Sequence, residues 1–459
     1  MELLVVVDKH TGERLGELPV ADAAAVAAAT RRAQAAFPAW SATPAHRRAA
    51  ILRATSERLG ARADELARLI ARESGKALKY ASAEVARAAE TFGFAADEAR
   101  RIHGETVPMD ASAAGEGRLG FWLRMPIGVV AAITPFNFPL NLVAHKVAPA
   151  LAAGDTVVLK PAERTPLSAV RLAELLAESG LPAGALELVH GEGPLTGEAL
   201  CTDPVPAMVS FTGSPAVGRR ILAQAGLKRV TLELGNNSAT IVEPDADLDR
   251  AVSRCVMSAF ANAGQVCLSL QRLYVHDSVA DAFAERFVAA TAALKVGSPL
   301  DPGCDVGPMI STAAAERAEL WVEEALAAGA RRLLGGRREG ALFWPTVLAG
   351  VVPGMKVMCQ EVFAPVVSIV PYARFEDALD AAGASDYGLQ AGIYTRDLDK
   401  ALQAVRRLDV GGVMINDTSI FRADHMPYGG NRGSGLGREG VRFAIEEMTS
   451  LRMVVIAPA

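Results

Sequence analysis

The stretch VVAAITPFNFPLNLVAHKVAPALAAGDTVVLKPAE, Val129 to Glu163, decides the fold class. Residues 129–134 form a short apolar run closed by Pro135-Phe-Asn-Phe-Pro139, the pattern of a buried strand ending in a loop. Residues 140–153 carry apolar side chains at helical spacing, and 155–160 form a second apolar run stopped by Pro161. Two strands joined through a helix of this length run parallel, since the crossover brings the chain back in the same direction.

Outward from this unit the alternation continues. Helices are predicted over 165–179, 195–201 and 215–225, and strands over 186–190, 207–211 and 229–233. Strands alternating with helices at this spacing imply a parallel sheet covered on both faces. A second series runs from a strand at 270–275 through helices at 279–294 and 313–329. Strands at 332–334, 344–348, 367–371, 392–395 and 412–416 follow, with helices at 375–382 and 398–408 between them. Before the first sheet, residues 21–103 read as amphipathic helices over 23–36, 44–62, 63–72 and 76–102. A turn at Gly115-Glu-Gly117 precedes a strand at 118–124. The apolar, alternating tail at 450–456 has no partner nearby in sequence, so it is expected to join another sheet, that of a neighbouring subunit included.

Composition bounds the function. A chain of 459 residues is long enough for two or three domains, and 51% hydrophobic with 22% charged residues is globular. A net charge of −5 with interspersed lysines and arginines gives no footprint for nucleic acid. The run 127–140 is interrupted by Thr134, Pro135, Asn137 and Pro139, too broken to span a membrane, and the N-terminus lacks the pattern of a signal peptide. Five cysteines without a CxxC pair fit a reducing, cytoplasmic setting, and seven scattered histidines without HxxxH give no metal site.

Chemistry is expected at the carboxyl ends of the parallel strands. Asn137 follows the first strand, Lys160 and Glu163 the second, Thr212-Gly213-Ser214 the fourth, and Glu233-Leu234-Gly235 the fifth. The Gly213–Gly218 turn opens a helix whose N-terminus suits a phosphate, or Ser214 is an ordinary cap. Lys160 and Glu163 could grip the hydroxyls of an adenosine ribose. A carboxylate there would repel a 2′-phosphate, which favours NAD over NADP, although Arg164 is adjacent. Cys267, in FANAGQVCLSLQR (Phe260 to Arg272), sits between a glycine turn and a strand. Such a cysteine is either a nucleophile held rigid at one end or a buried apolar thiol.

Read together, PFNFP, LKPAE, FTGS (211–214), LELG (232–235), GQVC (264–267), EVFAP (361–365) and PYGGNRGSGLGREG (427–440) resemble the aldehyde dehydrogenase superfamily over essentially the whole length. The resemblance implies an α/β fold of two domains with parallel-rich sheets plus a small β oligomerisation domain. Residues 1–108 and 127–233 would bind a nicotinamide dinucleotide, 234–440 would be catalytic, and 109–126 with 441–459 would supply oligomerisation strands. It implies Cys267 as nucleophile, Asn137 as oxyanion donor and Glu233 as base for water, with Lys146 and Glu439 as a proton relay. Cofactor contacts would be Lys160, Glu163, Thr212, Gly213, Ser214, Gly235, Glu361 and Phe363, with NAD favoured or NADP. One motif departs: the usual second glycine of LELGG is Asn236, the next best residue for left-handed backbone.

The implied reaction is oxidation of an aldehyde to its acid through a thiohemiacetal and a thioester. Family members that transfer the acyl group to coenzyme A typically lack the glutamate found at 233, so water is the expected acceptor. The implied tunnel wall holds Leu142, His145, Val266, Leu268 and Arg422, with the 420–425 loop. Its polarity points to a small polar or anionic aldehyde, with Arg422 at the mouth. The expected assembly is a homodimer or homotetramer.

Overall fold

A computed structural model describes residues 2–457. After a two-stranded hairpin, Leu3–Val7 with Arg14–Pro19, the chain packs the helices Ala23–Ser41, Ala45–Ala61, Ala63–Ser74 and Leu78–Ala99 together. Asp22 starts the first by accepting from the Ala25 N–H, and Gly75, at φ +80°, stops the third in a left-handed cap. Alanine at the contacts lets Ala45–Ala61 and Leu78–Ala99 approach closely and pack on the helix Asn141–Ala153. That helix is buried along its full length.

The first sheet has the order Gly435–Leu436, Arg229–Glu233, Met208–Thr212, Val129–Ile133, Thr156–Lys160, Leu186–Leu188. All pairs are parallel except the first. Val129–Ile133 and Thr156–Lys160 are buried at every residue, because helices cover both faces. Each fully buried Val or Leu there contributes about 1.5–3 kcal/mol relative to an exposed one.

The second sheet has seven strands, in the order Arg331–Leu334, Thr346–Ala349, Val366–Tyr372, Leu270–His276, Ser238–Val242, Gln390–Tyr394, Gly412–Ile415. The sequence reading has no element between 235 and 260, yet Ser238–Val242 lies inside this sheet and is followed by the helix Leu248–Phe260. Both sheets direct strand ends toward the Cys267 region, the first through Glu233 and the second through Leu270.

The terminal strand finds its sheet within the chain. Thr449–Ile456 pairs antiparallel along all eight residues with Leu119–Pro126 of the same chain, and Glu105–Val107 completes a three-stranded sheet. Residues 441–448 are not strand: Val441–Glu447 is a helix whose Val441 and Ile445, with Met448, enter the core around Asn141–Ala153. An i, i+4 apolar pair suits a helix, not an exposed edge. Residues 1, 458 and 459 of the expected segments lie outside the described residues. Among the described residues no helix is long and apolar enough to cross a membrane.

Candidate active site

The loop before Cys267 is held from several sides. Asn262 and Ala263 both have φ +52°, and Gly264 has φ +68° with its Cα so close to Ala364 that a Cβ would collide with that carbonyl. Gln265 accepts from the Ile310 N–H at 2.9 Å and donates to the Asn262 carbonyl at 3.2 Å. The Asn137 amide donates to the Gln265 carbonyl at 2.9 Å, and Asn262 donates to the Asn137 carbonyl at 3.2 Å. These bonds fix Asn137 against the cysteine loop. A primary amide has two N–H groups, so one Asn137 donor remains for another acceptor. Three consecutive left-handed residues at the nucleophile candidate are the kind of strain that surrounding structure must maintain.

Cys267 opens onto a cavity of about 150 Å³. Its wall includes Leu142, Val266, Leu268, Phe138, Ile420 and Tyr428, and four charged groups: Lys76, Glu84, Arg87 and Arg422. Lys76 pairs with Glu84, both fully buried, and its ammonium stands 3.7 Å above the Phe138 ring. Glu84 also accepts from the N–H groups of Leu140 and Asn141, capping Asn141–Ala153. Arg87 makes a forked pair with Asp424 at 2.9 and 2.7 Å. His145 Nε2 lies 2.7 Å from the same carboxylate, which His145 and Arg87 hold well below its ordinary range although burial pulls it up. Arg422 donates to Glu439 at 3.0 Å, and its buried Nε makes no hydrogen bond, with Asp424 3.9 Å away. Tyr428 Oη stands 3.0 Å from Cys267 Sγ.

Glu233 ends its strand beside this cavity. Both its carboxyl oxygens are buried and without a partner. Burial raises its pKa well above the usual range, and the neighbouring Glu439 adds to that rise. Burial pulls Glu439 up too, but Lys146, 2.9 Å away, and Arg422 hold it ionised. Lys146 also donates to Ser210 at 3.2 Å. A protonatable carboxyl therefore stands next to a fixed carboxylate. Burial pushes the Cys267 thiol up to about 11.

On the other side of the cysteine loop lie Glu361, Phe363 and Asn236, with Val266 reaching both sides. Glu361 accepts from the Asn236 N–H at 2.9 Å, and a Cβ at Gly235 would collide with the Glu361 carboxylate. Burial pushes Glu361 up to about 7. Phe363, at φ +51°, sets its ring edge-on to Phe136 at 5.9 Å. Asn236 is not at positive φ, so its place needs no glycine; its amide instead donates to Ser238 at 2.6 Å. Further along the sheet edge, Lys160 lies 3.5 Å from Glu163, and Ser214 caps the helix Pro215–Gln224. Thr212 Oγ1 is buried without a partner. Beside them runs an apolar slot of about 130 Å³ lined by Ile133, Phe211, Val217 and Ile221. A helix N-terminus, an unpaired hydroxyl and an apolar slot lie along this edge, a set of groups that could hold a dinucleotide.

The expected site residues thus gather around one cysteine loop and along one sheet edge. Two land elsewhere than expected. His145 does not line the cavity; it lies behind the wall and orients Asp424. Arg422 is not at a mouth, since its side chain is 6% exposed and packs inward over Tyr428. Sequence reasoning missed Lys76, just before the helix Leu78–Ala99, and Glu84 and Arg87 within it, with nothing local to mark them. It also missed Tyr428, which sits inside the PYGG motif already singled out.

The aldehyde dehydrogenase family matches residues 2–454. The chain is similar to 3-sulfolactaldehyde dehydrogenase of Priestia aryabhattai, with 48% identity over 455 residues, covering 99% of this chain and 95% of that one. A crystal structure of an aldehyde dehydrogenase from Physcomitrella patens in complex with the reaction product succinate superposes with a TM-score of 0.97 at 42% identity, covering 99% of this chain and 95% of that one. That of a glyceraldehyde-3-phosphate dehydrogenase from Methanocaldococcus jannaschii complexed with NADP gives 0.96 at 39%, covering 99% of each. From the hairpin to the last strand, then, this chain belongs to the aldehyde dehydrogenase family and is an oxidoreductase that oxidises an aldehyde with NAD or NADP as acceptor.

Proposed function

We propose that the chain converts a small anionic aldehyde to its free acid through a thioester on Cys267. The cavity volume suits a few-carbon substrate, and Arg87 and Arg422 on its wall suit a carboxylate, sulfonate or phosphate head. The observation that carries this reading is Arg422 on the cavity wall, a buried cation whose Nε makes no hydrogen bond and lies 3.9 Å from Asp424.

In this mechanism Cys267 Sγ attacks the aldehyde carbon, and the developing oxyanion is held by the free Asn137 N–H and the Cys267 backbone N–H. Bound NAD or NADP supplies the hydride acceptor. The chain's part in that step is to hold the dinucleotide with Lys160, Glu163, Ser214 and Glu361. Glu163 favours NAD over NADP, because its carboxylate opposes a 2′-phosphate. Glu233 then takes a proton from the water that opens the thioester, and Glu439 with Lys146 carries it away. A base whose carboxyl is raised by burial has the proton affinity this step needs. A free carboxyl at 233 also favours acid over an acyl-coenzyme A product. Exposed apolar side chains on the three-stranded sheet support a homodimer or homotetramer, and five cysteines, all free, support a cytoplasmic setting.

The test is an aldehyde panel with NAD and with NADP, scoring free acid against acyl-coenzyme A, followed by Arg422→Ala. Loss of kcat/KM should be about 100-fold for succinate semialdehyde and only a few-fold for butyraldehyde. An equal loss for both would rule out Arg422 as the anion's partner.

A further inference from the structure

The proposed roles leave Tyr428 unused, although it is the side chain hydrogen bonded to the reactive sulfur. Tyr428 Oη and Cys267 Sγ are 3.0 Å apart. The tyrosine is 3% exposed, so its hydroxyl does not turn to bulk solvent. The guanidinium of Arg422 covers its ring, with Cζ 3.6 Å from the centroid. A cation on the face of a phenol draws electron density from the ring and makes the O–H a better donor.

Resting on the reading of Cys267 as nucleophile, we propose that Tyr428 is a catalytic residue that donates its hydroxyl hydrogen to the Cys267 sulfur, stabilising thiolate over thiol, and that Arg422 strengthens this donation through the ring. The phenol keeps its own proton throughout: burial, with Cys267 beside it, holds its pKa well above the ordinary 10.0. The proton lost by the thiol passes to solvent water, since Cys267 itself is only half-buried. Among the charged neighbours, Glu361 and Glu233 oppose thiolate formation and Arg422 favours it. Lys76, Glu84 and Arg87 face the sulfur across the cavity, and Asp424, Glu439, Lys146 and Arg438 stand behind Arg422 and Glu233. Of all these, only Tyr428 is hydrogen bonded to the sulfur. The bond is strongest while the sulfur is anionic and weakens once it has joined the carbonyl carbon, so it acts on formation of the nucleophile.

The experiment follows alkylation of Cys267 by iodoacetamide against pH in the cofactor-free protein, read by mass spectrometry of the Cys267 peptide, for wild type and Tyr428→Phe. Loss of a hydrogen bond to an anion should raise the apparent thiol pKa by about one and slow alkylation at neutral pH about 10-fold. kcat/KM for the aldehyde should fall in parallel. Superimposable pH curves overturn the proposal. Should the phenylalanine variant fail to fold by circular dichroism, site-specific 3-fluorotyrosine at 428 reads the same bond in the opposite sense. Its more acidic phenol should lower the thiol pKa, and an unchanged value overturns the proposal. Cys267→Ser separates the two layers: if it still reduces the cofactor, the nucleophile reading fails and this proposal with it. If it is inactive while Tyr428→Phe alkylates as wild type does, only the role of Tyr428 falls.

Discussion

Glu233 has no hydrogen-bond partner for either carboxyl oxygen. A carboxyl buried this way costs stability unless something arrives to use it. In its proposed role as base for thioester hydrolysis it is used once per turnover. Glu233→Gln keeps the shape and removes the proton acceptor. The expected outcome is a burst of about one reduced cofactor per site, followed by a steady rate lower by about 10²–10⁴-fold. Stopped-flow absorbance reads the burst, and intact-mass measurement reads the acyl group retained on Cys267. A steady rate like wild type would remove Glu233 from the mechanism. At this scale the sequence is legible wherever a short motif carries both the side chain and its turn, as with Asn137, Glu233 and Cys267. It is silent where the partner lies far away. Tyr428 reaches Cys267 across 161 residues, and Arg87 reaches Asp424 across 337.

Strands and helices were mostly readable because hydrophobic period and turn residues are local quantities. The misses share a cause. Ser238–Val242 is only five residues long and opens on Ser-Ala-Thr, so its burial comes from neighbouring strands and not from its own composition. Asp155 shows an element-level constraint hidden from pattern reading. Its Oδ1 accepts from Ile127 and Gly128 at 2.7 and 2.9 Å, joining the entries of two adjacent strands, while its Oδ2 has no partner. Burial raises its pKa from 3.8 to about 8. The folded state thus keeps a proton that the unfolded chain releases near pH 4. This group's contribution is full below about pH 4 and is lost as pH rises through about 8. Asp155→Asn keeps the Oδ1 acceptor and cannot ionise. Between those pH values, wild-type stability relative to the variant should decline by up to about 1.4 kcal/mol per pH unit. Urea unfolding of both proteins across that range measures it, and parallel curves would contradict the assignment.

At the scale of the whole molecule, the three-stranded sheet is the part least explained by a single chain. Leu119, Leu123, Leu451, Met453, Val455 and Ile456 are each more than 40% exposed there. A strand eight residues long with apolar side chains at its edge is a poor free surface. The paired substitution Leu451→Glu and Met453→Glu should lower the native mass by half or more, measured by light scattering after size exclusion. Unchanged mass, or a wild-type protein that is already monomeric, would exclude this sheet as the contact. No local pattern marks the strand's partner within the chain, because Thr449 and Pro126 are separated by most of the fold; only the family resemblance groups the two stretches. Val266, finally, forms part of two walls, one toward Cys267 and Arg422 and one toward Glu361 and Phe363. A change of side chain at that position reshapes both chambers together. If the two chambers take the aldehyde and the dinucleotide as proposed, altering aldehyde preference through residue 266 brings an unasked change in dinucleotide fit, whereas Leu142 and Leu268 border only the Cys267 chamber and are the freer routes for diversification.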